Sequence, residues 1–286
     1  FFGLNTLGDF LEKISKLPES TKIIFTPHSV NSPGFEMKTI KDSLRKVDQI
    51  HILKNDDAKD LKKQTDLANI AHFPHGNATF TRIEKEILKQ KLDLQNNYPV
   101  IATHGFMVPN KGCLEALESI KLLKKDYPDI LYLAINAVNR NNIDSADLAK
   151  KFSDKIIELD LEENVIHIDD FLDREEILLL LSAADVLIFP YGESKEAASG
   201  AVRLALATEN PIIYTNTKQL SDLVQNDIGV IIQDNQSKTI TDFTKNLIEN
   251  KHLHHKIRRD IRKYSEKNNW DMLKLKYLKL ISDLSD

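Results

Sequence analysis

From Tyr98 onward the chain alternates short β-branched apolar runs with longer amphipathic ones, and residues 1 to about 80 do the same less completely. Strands that alternate with helices pair in parallel and are covered on both faces, and right-handed crossovers make such a sheet doubly wound. The sequence therefore predicts an α/β protein of two Rossmann-like lobes, the second a doubly wound parallel sheet. A third observation places a ligand site in that second lobe. Between Asp185 and Thr215 an apolar run ends at Pro190, a polar loop follows, and Ser199 and Gly200 open the helical stretch AVRLALA. Ligands of open α/β sheets gather at this carboxyl edge of the strands.

In the first lobe, Lys22–Thr26, Gln49–Leu53 and Asn69–Phe73 read as strands with helices between them. Three strands make a thin lobe that leaves apolar surface exposed. Residues 1–80 are thus expected to be a lobe incomplete at its N-terminus, in keeping with a start at Phe1 rather than methionine. Residues 81–97, TRIEKEILKQKLDLQNN, are dense in charge and are the expected linker.

Residues 98–269 make the second lobe, with strands at Val100–Thr103, Ile130–Asn136, Val165–Ile168, Val186–Phe189, Pro211–Thr215 and Val230–Ile232. Their near-continuous apolar runs suit strands buried on both faces. Helices fall between them: in Gly112–Lys125 the residues Leu114, Leu117, Ile120 and Leu123 recur at helical spacing, and Arg174–Ala184 is apolar almost all round. In the terminal segment 270–286, Trp270, Leu273, Tyr277, Leu280 or Ile281, and Leu284 share one stripe. Such a helix must dock, and the first lobe is the expected partner.

A chain of 286 residues, 41% hydrophobic and with nine glycines and nine prolines, has no disordered or fibrous signature. The net charge of −4 gives no global attraction to nucleic acid. The basic run Lys251–Lys263 reads as a solvated helix face, so any membrane contact is at most peripheral. A single cysteine, Cys113, excludes an intrachain disulfide, and no Cys/His spacing matches a zinc site. His72 and His75, like His254 and His255, lack further ligands at recognisable spacing. No apolar run is long enough to span a bilayer, so the expected location is cytoplasmic, at most peripheral on the inner face of the membrane.

Three loops at strand ends carry the candidate chemistry. In THGFMVPNKG, Gly105 lets backbone approach a ligand closely, and Lys111 reaches a phosphate or simply faces water from a helix's first turn. In DDFLDREE, Phe171 and Leu172 are placed to flank a base, and Asp173 reads as a helix N-cap. In the third loop Glu196 is a functional carboxylate or an exposed residue of a Glu/Lys-rich turn; it stands in small company, beside Ala197, Ala198, Ser199 and Gly200, where the amides and dipole of a helix start favour a diphosphate. Within TPHSVNSPG, residues 26–34, His28 ends a first-lobe strand and faces a shared cleft or serves the structure alone.

The order TPHS, HFPHG, HGFMVPNKG, ADVLIFPYGESKEAASGAVRLALATENPII and a tryptophan-led terminal helix is similar to the retaining glycosyltransferases of family four, with the GT-B fold. The resemblance covers nearly the whole chain from about Thr21 and is strongest between Pro99 and Pro211. It implies that Lys111 binds the donor diphosphate, that Glu196 is the first glutamate of the family's Glu-x7-Glu motif and contacts the donor sugar, that Ser199 and Gly200 hold phosphates through their backbone, that Phe171 flanks the base, and that His28 lies close to the transferred sugar. Two positions depart from the pattern. Phe106 stands where the family often has an arginine, which leaves one phosphate charge for Arg203 or another cation, and Leu204 replaces the second glutamate, which usually binds the ribose.

The resemblance implies a hexosyltransferase with a nucleotide diphosphate sugar as donor, a glycan or lipid-linked acceptor, retention at the anomeric carbon, and no cofactor. The sequence lacks an Asp-x-Asp signature, so no metal is expected. The frequent Lys, Asn and Ile suggest a bacterial source and a surface-polysaccharide acceptor. A binding or scaffolding module on the same fold and a nucleotide-sugar epimerase stand as alternatives.

Overall fold

The computed structural model describes residues 10, 13–14, 16–18, 20–28, 30, 41–42, 44–194 and 196–285. Of the expected loop 26–34, Ser29 and residues 31–34 lie outside the described residues. The first lobe carries β1 (Ile24–Phe25), β2 (Gln49–Ile52), α1 (Asn55–Thr65) and β3 (Ile70–His72). Its strands are parallel in the order β1-β2-β3. Their inward residues, with Leu44, Val47, Ala58 and Leu61, make a small core.

The second lobe begins with α2 (Lys85–Lys91), then alternates β4 (Val100–Phe106), α3 (Cys113–Leu123), β5 (Leu131–Ala137), α4 (Ile143–Glu158), β6 (Val165–Ile168), α5 (Arg174–Ala183) and β7 (Val186–Phe189). It continues through α6 (Gly200–Leu206), β8 (Ile212–Thr215), α7 (Ser221–Gln225), β9 (Val230–Ile232), α8 (Ser237–Glu249) and α9 (Lys251–Asn268). The strands form one parallel sheet in the order β6-β5-β4-β7-β8-β9. The chain thus enters at the centre, winds outward to β6, returns beside β4 and winds the other way. Connections on opposite faces open a crevice at the carboxyl ends of β4 and β7, where this reversal occurs. All four residues of β7 are buried, as a central strand requires. Helix starts are set locally: Asp173 and Glu176 form a reciprocal capping box on α5.

The expected linker is corrected by α2. Leu88 and Leu94 are buried in the second-lobe core. Lys85 and Lys89 reach Asp185 at 3.1 and 2.9 Å, and Asp185 also accepts the Val100 amide at 2.8 Å. Burial alone would raise the Asp185 pKa, but the two ammonium groups and the amide outweigh it and hold the carboxyl below its ordinary range. High charge density in 81–97 therefore marks an amphipathic helix whose lysines clamp a buried carboxylate.

The terminal helix α10 (Trp270–Ser285) docks on the first lobe. Leu273 is buried, the Tyr277 hydroxyl lies 3.0 Å from His51 Nδ1, and the Tyr277 and Phe73 rings meet edge-on at 4.7 Å. Of the alternatives for the inward stripe, Leu280 is half-buried and Ile281 exposed. The crossing from α9 to α10 is tied to the first crossing, since the Asn77 amide donates to Asn268 O at 2.8 Å and the Trp270 amide to Asn77 O at 3.1 Å.

His104, on β4, is held neutral: burial lowers its pKa from 6.5 to about 4, and a Nδ1 contact to Ile135 O at 3.3 Å opposes this only in part. The unfolded chain protonates first, so stability present above pH 6.5 declines as the pH falls toward about 4. Replacing His104 with Gln should flatten the fall in urea-unfolding free energy across that window by up to about 1.4 kcal/mol per pH unit. An unchanged slope would refute the neutral-histidine account.

Candidate functional site

The crevice between β4 and β7 is shaped by two glycines. Gly105 has φ +140 and Gly112 has φ +69, both in the region that side chains disfavour. A Cβ at Gly112 would also clash with the Pro190 carbonyl oxygen. Only glycine lets the start of α3 pack this closely on the end of β7. Just before it, a 3-10 turn at Pro109–Lys111 turns Lys111 inward.

Lys111 is buried, with its ammonium 3.2 Å from Glu196 Oε2 and 4.1 Å from the centroid of the Tyr191 ring. Glu196 itself is more than half exposed. This pairs a desolvated cation with a wet carboxylate, so an incoming anion meets a positive charge already placed and partly stripped of water. The Tyr191 hydroxyl, whose pKa burial raises well above the usual value, lies 3.3 Å from Ser199 Oγ. Ser199 caps α6, accepting the Val202 amide at 3.4 Å. Gly200 is exposed, with nothing within 4 Å of the place a Cβ would take, and Gly105 lies across from Ala201 and Tyr191. Gly105, Lys111, Glu196, Ser199 and Gly200 are therefore gathered at one crevice.

The first lobe holds the same loop. The Ala197 amide donates to the carbonyl of His28 at 3.1 Å, which puts exposed His28 beside Glu196 in the chain's path. Lys54 Nζ donates to the Glu196 carbonyl at 3.4 Å. Lys54 is buried and has no ion-pair partner among the described residues. Sequence reasoning missed it, although it follows the apolar run of β2 as directly as His28 follows β1. Lys54 also lines a cavity of about 230 Å³ between the lobes, shared with His72, Ser221, Asp222 and Tyr264.

Two expected residues are elsewhere or differently engaged. Arg203 is corrected: it is fully buried behind the crevice, where Nη2 lies 2.6 Å from both Asp222 oxygens and Nη1 donates to the Tyr264 hydroxyl at 3.0 Å. Its place three residues beyond Gly200, among buried Val202, Ala205 and Leu206, turns it from the mouth of α6 toward α7 and α9. Burial opposes ionisation of Asp222, but Arg203 and Tyr264 outweigh it and keep the carboxyl below its ordinary pKa. Arg203 is thus a structural cation. Phe171 stands at the mouth, 80% exposed, stacked on Phe106. Leu204 is half-buried against the core. Among the described residues no three His, Cys, Asp or Glu side chains gather to hold a metal ion, and no helix is long and apolar enough to cross a membrane.

Residues 84–268, well over half of the chain, match the family model for glycosyl transferases group 1. No curated protein matches the chain. Among solved structures, a glycosyltransferase from Rickettsia africae ESF-5 is 18% identical, with a TM-score of 0.75 over 98% of this chain and 80% of that one. Sucrose-phosphate synthase from Thermosynechococcus elongatus is 16% identical, with a TM-score of 0.78 over 97% and 71%. Anabaena HepE in complex with UDP is 14% identical, with a TM-score of 0.79 over 98% and 77%. At these identities the likeness is one of fold, and the two-lobed arrangement is GT-B.

Removing one partner of the buried pair should cost far more than any surface contact. Asp222→Ala leaves the Arg203 guanidinium uncompensated, and urea denaturation should show a loss of about 3–5 kcal/mol. Glu209→Ala, which breaks the more exposed bridge to Arg262 at 2.7 Å, should cost under about 1 kcal/mol. Equal losses would refute the structural assignment of Arg203.

Proposed function

The chain belongs to the glycosyl transferases of group 1, and we propose that it moves a hexose from a nucleotide diphosphate sugar to a hydroxyl of a glycan or lipid-linked acceptor, with retention and without a metal, as a retaining enzyme of family four. The observation that carries this reading is the buried Lys111 ammonium at the sheet reversal, framed by Tyr191 and Glu196. Breaking a glycosyl–phosphate bond leaves negative charge on the diphosphate and positive charge on the sugar ring. A preorganised cation in a partly dry site stabilises the first. Lys111 is that cation in this proposal, assisted by the amides at Ser199 and Gly200.

Glu196 takes the second charge. With Lys111 drawn to the diphosphate, its carboxylate is released to the hydroxyls of the donor sugar and to the ring as positive charge develops. His28, from the facing lobe, closes the sugar site over the loop that its carbonyl already holds. Lys54, tethered to the Glu196 carbonyl, adds a second positive charge on the first-lobe side. UDP sugars are the first donors to test, since HepE, whose fold is similar, was solved with UDP. Surface-polysaccharide synthesis at the inner face of the membrane is the context proposed.

Calorimetric titration with UDP should show Lys111→Ala binding roughly tenfold to a hundredfold more weakly, as loss of a hydrogen bond between charged groups implies. UDP bound equally well by that variant would remove Lys111 from the donor site. Glu196→Gln should lower kcat while leaving UDP affinity within a few-fold, and unchanged turnover would exclude the carboxylate. The product's anomeric configuration, read by NMR, decides retention, and turnover that survives a chelator supports independence from metal.

A further inference from the structure

Gln219 lies in the 3-10 turn Lys218–Leu220 that follows β8, and its side chain reaches the loop between Tyr191 and Glu196. Only 1% of it is exposed, which is unusual for a residue that normally keeps its amide in water. A buried carboxamide needs partners at both ends. Gln219 Nε2 makes a long contact to the Gly192 carbonyl at 3.5 Å, and Oε1 lies 3.1 Å from Ser194 Oγ. A carbonyl can only accept, so Gly192 fixes the NH2 end of the amide and leaves Oε1 to face Ser194. The Ser194 hydroxyl then donates to Gln219, and its oxygen accepts the Glu196 amide at 3.2 Å. The result is one directed relay, from the Glu196 N–H through the Ser194 O–H to the Gln219 carbonyl. The other end of the loop is fixed too, since the Gly192 amide donates to Asn110 O at 2.9 Å and Thr215 Oγ1 donates to the Tyr191 carbonyl.

We propose that Ser194 and Gln219 are positioning residues for Glu196, holding its carboxylate at the crevice from within the second lobe. The inference rests on the reading of Glu196 given above. Glu196 is more than half exposed, so packing does not fix it. Its carbonyl is held by Lys54 and the next amide by His28, and both of these belong to the first lobe. Among the described residues, the Ser194 hydroxyl is the second lobe's hold on the Glu196 backbone. A carboxylate that answers charge at a sugar ring has to be placed closely, because a displacement of about 1 Å can cost on the order of a hundredfold in rate. Ser194 and Gln219 act on turnover through Glu196 and leave nucleotide affinity to Lys111 and the start of α6.

Hydrogen exchange and kinetics on the full chain test this. In Ser194→Ala, amide exchange in the peptide that carries Glu196 should quicken about two- to tenfold, the equivalent of one lost hydrogen bond. Turnover of UDP-glucose, followed as UDP release, should fall roughly tenfold to a hundredfold, while the Kd for UDP stays within a few-fold. Ser194→Thr keeps the hydroxyl and should restore turnover, and Gln219→Met, similar in length, should reproduce the alanine losses. Adding Ser194→Ala to Glu196→Gln should lower turnover no further, because the relay works only through that carboxylate. Unchanged exchange overturns the relay, and faster exchange with unchanged turnover overturns the positioning role. UDP affinity lost in step with turnover, or losses that add to those of Glu196→Gln, overturn it as well, since they indicate general damage to the crevice. A loss in Glu196→Gln beside unaltered turnover in Ser194→Ala and Gln219→Met sinks this inference alone. If Glu196→Gln turns over normally, or the unmodified chain turns over none of UDP-, GDP- and ADP-glucose, the reading of the site falls and takes the inference with it.

Discussion

Everything at the crevice depends on how closely two backbones can meet at Gly112 and Pro190. That contact joins the start of α3 to the end of β7, the two segments between which the sheet reverses direction. Any side chain at 112 would separate them, and Lys111 would no longer lie within 3.2 Å of Glu196. The steric constraint is local, yet it fixes the geometry of a site assembled from residues 85 positions apart in the chain. The β-branched core strands below supply the rigidity that lets so small a contact matter.

The second feature of the site is its shared ownership. The loop bearing Glu196 belongs to the second lobe, but its backbone is held by His28 and Lys54 of the first. The Glu196 loop is thus held from both lobes at once. Lys54 is buried as a residue and has no ion-pair partner among the described residues, so its charge is answered by the Glu196 carbonyl and the cavity it lines. At 3.4 Å that carbonyl is a long hydrogen bond, the link by which β2's end reaches the second-lobe loop.

The regular alternation after Tyr98 made the second lobe legible, because its central strands β4, β5, β7 and β8 are almost continuously apolar. The convergence of Lys111, Glu196, Ser199 and Gly200 was legible too, since each sits at a strand end or a helix start whose location the pattern fixes. Arg203 was misjudged because sequence shows that a cation is near a phosphate loop but not which face of the helix it occupies; Asp222, its partner, comes 19 residues later. Residues 81–97 were misjudged for a related reason, as charge density hid the alternation of buried Leu88 and Leu94 with lysines aimed at Asp185. Lys54 was invisible because its meaning arises only when two lobes face one another.

The lacing of Asn77 to Asn268 and Trp270 holds the two interlobe crossings side by side. The Trp270 indole seated against Gly76 and the Tyr277 ring edge-on to Phe73 secure the terminal helix beside these crossings. Any separation of the lobes would part Ala197 from His28 and Lys54 from the Glu196 carbonyl, so the first-lobe grip on Glu196 exists only in the closed arrangement.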